Sequence, residues 1–276
     1  MKRRLLRWCA ALGLLLLLAI AALAQRFGRG GGGIFGGPES EDISIPVREA
    51  EFHFVRTEYT DLYRRGFGFV SRRGKASGWW AQDWPDADNH FTLGIQRLTR
   101  IDTGDPRHFR LTDSRIFDYP WIYLTQAAYP EFSEAEVRQL REYLLRGGFL
   151  VTDDFWGPDE WEVFRQMMER VLPNRPISDI ALSDSVMHVF NNIREQDLTF
   201  IPGSRHIYGG RIMQPAGTSP AWQAIYDDKN RMVVAINFNT DVGDAWEFAD
   251  DPRYPAEMTT LAYRYGINYI IYAMTH

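Results

Sequence analysis

Leu140-Arg-Glu-Tyr-Leu-Leu-Arg-Gly147-Gly148-Phe-Leu-Val-Thr-Asp153-Asp154 is the stretch that decides the fold. Val137, Leu140 and Leu144 fall on one helical stripe, and Ser133-Glu-Ala-Glu136 just upstream is a capping box that satisfies orphan amides at a helix start. The glycine pair supplies the left-handed turn that ends the helix. Phe149 to Thr152 is then a short apolar strand, and two aspartates stand where it ends. Upstream, Trp121 to Thr125 follows the Tyr119-Pro120 break and reads as another strand. Downstream, Trp161, Phe164, Met168 and Val171 mark a helix opened by Pro158 and closed near Pro173. Strand, helix, strand, helix in this order demands a crossover and a parallel strand pair. Gln126 and Asp154 therefore emerge on the same edge of the sheet, the edge where α/β proteins bind ligands.

Outside this core the signals are weaker. Glu51 to Thr57 alternates around Phe52 and Phe54 as a strand, and Phe109 to Thr112 is a shorter one. A Gly- and Arg-rich loop, Tyr63 to Gly78, comes after the first. Asp88 is placed to cap a helix running to about Ile101 through Phe91, Ile95 and Leu98. Ala221 to Tyr226 and Arg231 to Asn237 flank the turn Asp227-Asp-Lys-Asn230 and read as a hairpin. The chain closes on a helical stretch with Leu261, Tyr265, Ile270 and Ile271, where Gly266 is a candidate kink. Residues 174 to 220 show no periodicity. The fold class expected is α/β, with a mostly parallel sheet and one added hairpin.

Residues 1–24 have the build of a signal peptide. Lys2, Arg3, Arg4 and Arg7 precede an apolar run that ends in Ala22-Leu23-Ala24, a small-x-small cleavage site. An uncleaved anchor is the alternative, since about 17 apolar residues is near the lower limit for spanning a bilayer. Arg3-Arg4 raises a twin-arginine route, which the flanking residues fit poorly. The expected location is therefore periplasmic or otherwise extracytoplasmic. Residues 25–46, rich in glycine from Gly30 to Gly37, read as a flexible tether. Residues 47–276 are enough for a single α/β domain.

The only cysteine of the 276 residues is Cys9, inside the targeting segment. Thiolate nucleophiles, disulfides and Cys-ligated metals are excluded together from the rest. Losing the four basic residues of the leader moves the formal net charge from −5 to −9. A domain so acidic repels phosphate backbones, which argues against nucleic acid. No GxSxG elbow is present. Gly31 to Gly36 fits GxGxxG but follows no strand, and Gly74-Lys75 resembles the tail of a P-loop while Gly68 is one residue too distant and Ala76 replaces Ser/Thr. No cofactor is expected.

Three loops share one composition. Trp79, Trp80, Asp83 and Trp84 form the first, Asp153 and Asp154 with Trp156 the second, and Asn237, Asn239, Asp241 and Asp244 with Trp246 the third. Acids beside flat rings at strand ends suit a sugar-like ligand: rings stack on apolar faces while carboxylates take hydroxyls or protons. The alternative for each loop is that indoles fill the core and aspartates cap turns. Adjacent residues on an extended chain point oppositely, so one of Asp153 and Asp154 faces the cleft while the other is free to cap the helix near Pro158. Asp153, Asp154, Asp241, Asp244 and His188 are the candidate acids, bases or ligands. A hard-cation site from Asp153, Asp154, His188 and Asp241 is chemically reasonable, but no HExxH, EF-hand loop or other local ligand spacing supports it, and none is assigned.

Read together, Phe52-x-Phe54, Trp80-x-x-Asp83-Trp84-Pro85 with Asn89, Phe117-x-Tyr119-Pro120-x-x-Tyr123, the Leu140-to-Asp154 stretch, Asn239-x-Asp241-x-x-Asp244-x-Trp246 and Gly266-Ile-Asn268-Tyr-x-x-Tyr272-Ala273-Met-Thr275 resemble the bacterial family called domain of unknown function 4159. The resemblance covers about residues 50 to 276. It implies a three-layer flavodoxin-like sandwich, similar to the class I glutamine amidotransferases. There a nucleophilic cysteine follows a strand at the place Val151 to Asp154 occupies here, so thioester chemistry is not carried over. The family pattern Asp-His-Pro is replaced by Val186-Met187-His188, which weakens a catalytic role for His188. Relatives encoded beside MoxR-type ATPases and von Willebrand-type envelope proteins imply a link to such a system. The expected function is non-catalytic binding of a glycan, peptide or partner protein of the envelope at the acidic, Trp-lined edge. The alternative is a hydrolase of an envelope saccharide or ester using paired aspartates.

Overall fold

The structure, a computed structural model, describes residues 49–61, 69–70, 76–210 and 221–276. The leader, the tether and, from the P-loop-like match, Gly68, Gly74 and Lys75 lie outside the described residues. Among the described residues nine strands run in chain order: β1 (Val55–Glu58), β2 (Phe69–Val70), β3 (Ala76–Ser77), β4 (Arg107–Arg110), β5 (Trp121–Leu124), β6 (Phe149–Phe155), β7 (Ile177–Asp179), β8 (Ala221–Tyr226) and β9 (Met232–Phe238). The α-helices are α1 (Asp86–Leu98), α2 (Glu134–Leu145), α3 (Gly157–Val171), α4 (Val242–Glu247) and α5 (Ala256–Thr275).

The main sheet has the order β4-β1-β5-β6-β9-β8-β7, while β2 and β3 pair only with each other. The pairings from β4 across to β9 are all parallel, with Trp121 opposite Phe149 and Val151 opposite Ala235. The expected hairpin is present, since β8 lies antiparallel to β9, and β7 extends that edge antiparallel to β8. β7 arises within the stretch that showed no periodicity; three residues are too few to display one. Helices cover both faces, as a parallel sheet requires. On one side Phe54, Trp121, Tyr123 and Val151 pack with residues of α1, α4 and α5. On the other, Val55, Ile122, Leu124 and Leu150 pack with α2 and α3. The result is three layers, helix, sheet, helix.

The α2–β6 corner forms as its residues dictate. Ser133 Oγ accepts from the Glu136 amide at 3.3 Å, and Glu136 returns the bond to the Ser133 amide at 2.8 Å. Gly147 takes φ +117°, a conformation that L side chains rarely adopt. At Gly148 an added Cβ would stand 2.3 Å from the Tyr143 ring, so the second glycine is there for close approach.

Two local expectations are corrected. The first strand pairs continuously only from Val55; Phe52 makes a single bridge to Thr103. Helix α1 begins at Asp86, and Asp88 lies in its first turn instead of capping it. There its carboxylate is buried against Arg56 from β1, with Nη2–Oδ2 at 2.5 Å and Nε–Oδ1 at 3.1 Å. Helix α5 runs on through Gly266, where the rings of Phe91 and Trp246 leave no room for a Cβ.

Candidate functional site

Four parallel strands deliver their C-terminal loops to one edge, and a cavity of about 460 Å³ opens there. Arg56 organises the first loop. Besides Asp88 it donates to the carbonyls of Trp80, at 3.1 Å, and Gln82, at 2.6 Å. These bonds tie the loop after β1 to the strand and present Asp83, in the left-handed conformation with φ 62°. The β5 loop brings Gln126, the β6 end brings Asp154, and the turn after β9 brings Asp241 and Asp244. Gln126 and Asp154 are also left-handed, at φ 50° and 53°. Strained non-glycine residues gather where a site demands a fixed side-chain direction.

The floor is acidic and buried. Asp83, Asp154, Asp241 and Asp244 are each at most 6% exposed. Oxygens of Asp83, Asp154 and Asp241 lie within 4.8 Å of one another, and a second such group joins Asp83 with Asp244 and Glu247. Seven carboxylates and one basic side chain, Arg205, line the cavity. The Asp83 and Asp241 carboxyls are pushed well above the usual range by burial first, then by Asp244 for Asp83 and by Asp154 for Asp241. Burial lifts Asp154 to about 8, with Asp244 adding to the rise. Asp154 is held by neutral donors, the indole N–H of Trp156 at 2.7 Å and the Gln126 amide.

Asp153 and Asp154 do point apart. Asp153 is buried beneath the floor, where its Oδ2 accepts from Tyr123 Oη at 2.8 Å and from the amides of Val242 and Gly243 at 2.9 and 3.0 Å. It thus anchors the start of α4, and not the helix near Pro158 as the sequence suggested. Burial raises its carboxyl to about 7.

Of the other candidates, Trp79, Trp84 and Trp156 line the cavity. Trp80, Trp246 and Asn239 do not. Trp80 is buried against His108, ring centroids 5.2 Å apart. Trp246 stacks on Phe91 at 4.0 Å inside the core. Asn239 is buried, and its Oδ1 accepts from the Gly157 amide at 2.9 Å, closing the first turn of α3. His188 ends a short 3-10 turn outside the cavity and bonds Asn192 Oδ1 at 2.7 Å and the Leu182 carbonyl. Sequence reasoning did not select Glu160, Arg205, Tyr208 or Glu247, which also line the cavity. Glu247 had one usable signal, lying next to Trp246 a turn beyond Asp244. Arg205 and Tyr208 had none, since they come from the irregular stretch before β8.

Fold and site together define an α/β domain with an acidic, indole-walled pocket at the carboxyl edge of its parallel strands. Residues 67–274 match the model of the family described as Domain of unknown function (DUF4159), and the chain belongs to that family. No curated protein matches the chain.

Proposed function

We propose that this chain is an exported, non-catalytic binding protein of the cell envelope whose pocket takes a saccharide unit of an envelope glycan. The observation that carries the reading is the pairing of a floor of buried aspartates with walls of half-buried indoles, Trp79, Trp84 and Trp156. Carboxylates accept hydroxyl protons while rings cover the apolar face of a pyranose. No cysteine or histidine lines the cavity among the described residues, so neither a thiolate nor a Ser–His pair is at hand. The basic leader supports export, and the family resemblance supports a place beside MoxR- and von Willebrand-type envelope proteins. The finer fold reading is a flavodoxin-like, class I amidotransferase-like sandwich. Counted along the chain, the parallel strands stand in the order 2-1-3-4-5, the flavodoxin order, and the pocket flanks the β1/β5 switch point where such folds bind ligands.

A hydrolytic reading draws on Asp154, whose carboxyl near 8 keeps a proton at neutral pH and suits a general acid. Against it stands the partner: Asp241 beside it is itself pushed well above the usual carboxylate range, whereas the second carboxyl of a glycosidase pair works ionised. The deciding experiment is a glycan array with the full chain beside Trp84→Ala and Trp156→Ala. Retention of a glycan, weakened about tenfold or more in each variant, supports binding. Retention identical in all three proteins sinks the reading, and release of reducing sugar that Asp154→Asn abolishes replaces it with the hydrolase.

A further inference from the structure

The aspartates at the floor are more than a polar lining. Asp83 Oδ1 is bonded by Gln82 Nε2 at 2.7 Å, but its Oδ2 is buried and finds no hydrogen-bond partner among the described residues. The same holds for Asp244 Oδ1, although its Oδ2 takes the Ser204 amide at 2.5 Å. Asp241 Oδ1 accepts from the Asp244 amide at 2.7 Å. Every one of these donors is neutral. Arg56, whose charge acts on Asp83, is already engaged by Asp88. Buried carboxylate oxygens left without donors are rare and call for an explanation.

The backbone is shaped around the same oxygens. A Cβ on Gly243 would lie 2.9 Å from Asp83 Oδ2 and 3.5 Å from Asp241 Oδ1. A Cβ on Gly203 would lie 3.1 Å from Asp241 Oδ2 and 3.2 Å from Asp244 Oδ2. Two glycines thus leave room for carboxylates to converge, against their mutual repulsion. An ion that holds oxygens at about 2.3–2.6 Å bridges ligands up to roughly 5 Å apart, and the Asp83, Asp154 and Asp241 oxygens fall inside that span. The donors are all oxygen, the set preferred by hard cations over zinc or copper.

We propose that Asp83, Asp154 and Asp241 bind one hard divalent cation of the calcium class at the floor of the pocket, with Asp244 alongside, and that its open positions take ligand hydroxyls. The membership differs from the cation set weighed from sequence: Asp83 enters, while Asp153 lies beneath the floor and His188 outside it. The hydroxyl half rests on the saccharide reading; the cation half does not.

The test uses the full chain, stripped with EDTA and dialysed, titrated calorimetrically with calcium chloride and with magnesium chloride. Wild type is expected to bind one calcium ion per chain, and calcium at a hundredfold excess over its Kd should raise the melting temperature by about 5–10 °C. Asp83→Asn and Asp241→Asn should each weaken binding by about 100-fold or more, as loss of a ligand costs at least as much as loss of its support. Both variants should melt no lower than wild type in EDTA, because an amide keeps the shape of each carboxyl while removing an acid that burial and its neighbours already disfavour; this separates lost ligation from lost folding. Glu162→Gln, an exposed acid on α3, should bind as wild type does. Absence of calcium and magnesium heat in wild type overturns the proposal, as does binding that both aspartate variants retain. If calcium binds but the array retains no glycan, the cation site stands and the saccharide reading falls. If a glycan is retained equally in EDTA and in calcium, the hydroxyl half is overturned.

Discussion

The tryptophans are alike on paper, and surroundings divide those among the described residues. Trp246 is buried with its ring stacked on Phe91, whereas Trp84 is half-buried at the cavity wall. Trp246→Ala should therefore cost about 3–5 kcal/mol of unfolding free energy, the range for a fully buried aromatic. Trp84→Ala should cost under about 1.5 kcal/mol and act on ligand binding instead. Urea denaturation checks both, and equal losses would contradict the division. Arg56 and Asp88 behave as a unit. Both side chains are completely buried, so truncating either leaves a stranded charge. Arg56→Met or Asp88→Leu alone should lose about 3–5 kcal/mol, and the double variant should recover much of it. None of this was legible beforehand. Asp88 carries the local pattern of a helix cap, and only β1, 32 residues upstream, turns it inward. Trp246 owes its burial to Phe91, a residue far away in the chain. Asp154, Asp241 and Asp244 could be placed at the cavity edge from the sequence because strand ends announce themselves locally and deliver the residues after them to one edge, whereas Asp83, well beyond the end of β1, was marked only by the composition of its loop.

The same boundary between local and distant causes runs through the elements. The run from β5 to α3 was readable because its signals sit within a few residues: a capping box, an apolar stripe, a glycine pair, a proline in the first turn of α3. The stretch after α3 was not, because its turns are held from outside. Asn268 on α5 donates to the carbonyls of Val186 and Asn191 and accepts the Asn191 amide, and Arg264 bonds Asp197. Those contacts have no periodicity to read. The α2–β6 corner gives a prediction for an element joint. In Gly148→Ala the new methyl meets the Tyr143 ring, whose hydroxyl is tied to the Tyr119 carbonyl at 3.0 Å and so resists moving. Overpacking of this kind costs about 1–3 kcal/mol. The double variant Gly148→Ala with Tyr143→Leu should recover part of the loss if the ring is the obstacle. Thermal denaturation of the two variants checks it, and an additive loss would place the strain elsewhere.

For the whole molecule, gathering buried acids at one edge makes stability depend on pH in an unusual direction. Asp154 titrates near 8 in the folded chain and near 3.9 when unfolded. Between those values the native state holds a proton that the unfolded state has released. Stability therefore falls as pH rises through this window, by up to about 1.4 kcal/mol per pH unit for one such group. Asp197, which its hydrogen bond to Arg264 holds below the usual carboxylate range, has the opposite sign. Its contribution is present above the unfolded value and lost as pH falls through the folded one, so its window lies below about pH 4 and does not overlap. In EDTA the melting temperature of wild type should decline between about pH 5 and pH 8 relative to Asp154→Asn, which has no such proton to lose. Calcium binds the deprotonated cluster and so strengthens with pH; at saturation it should flatten or reverse the wild-type decline. Parallel melting curves for wild type and Asp154→Asn across this range would show that the buried carboxyls at the sheet edge are not what sets the acid–base response of the fold.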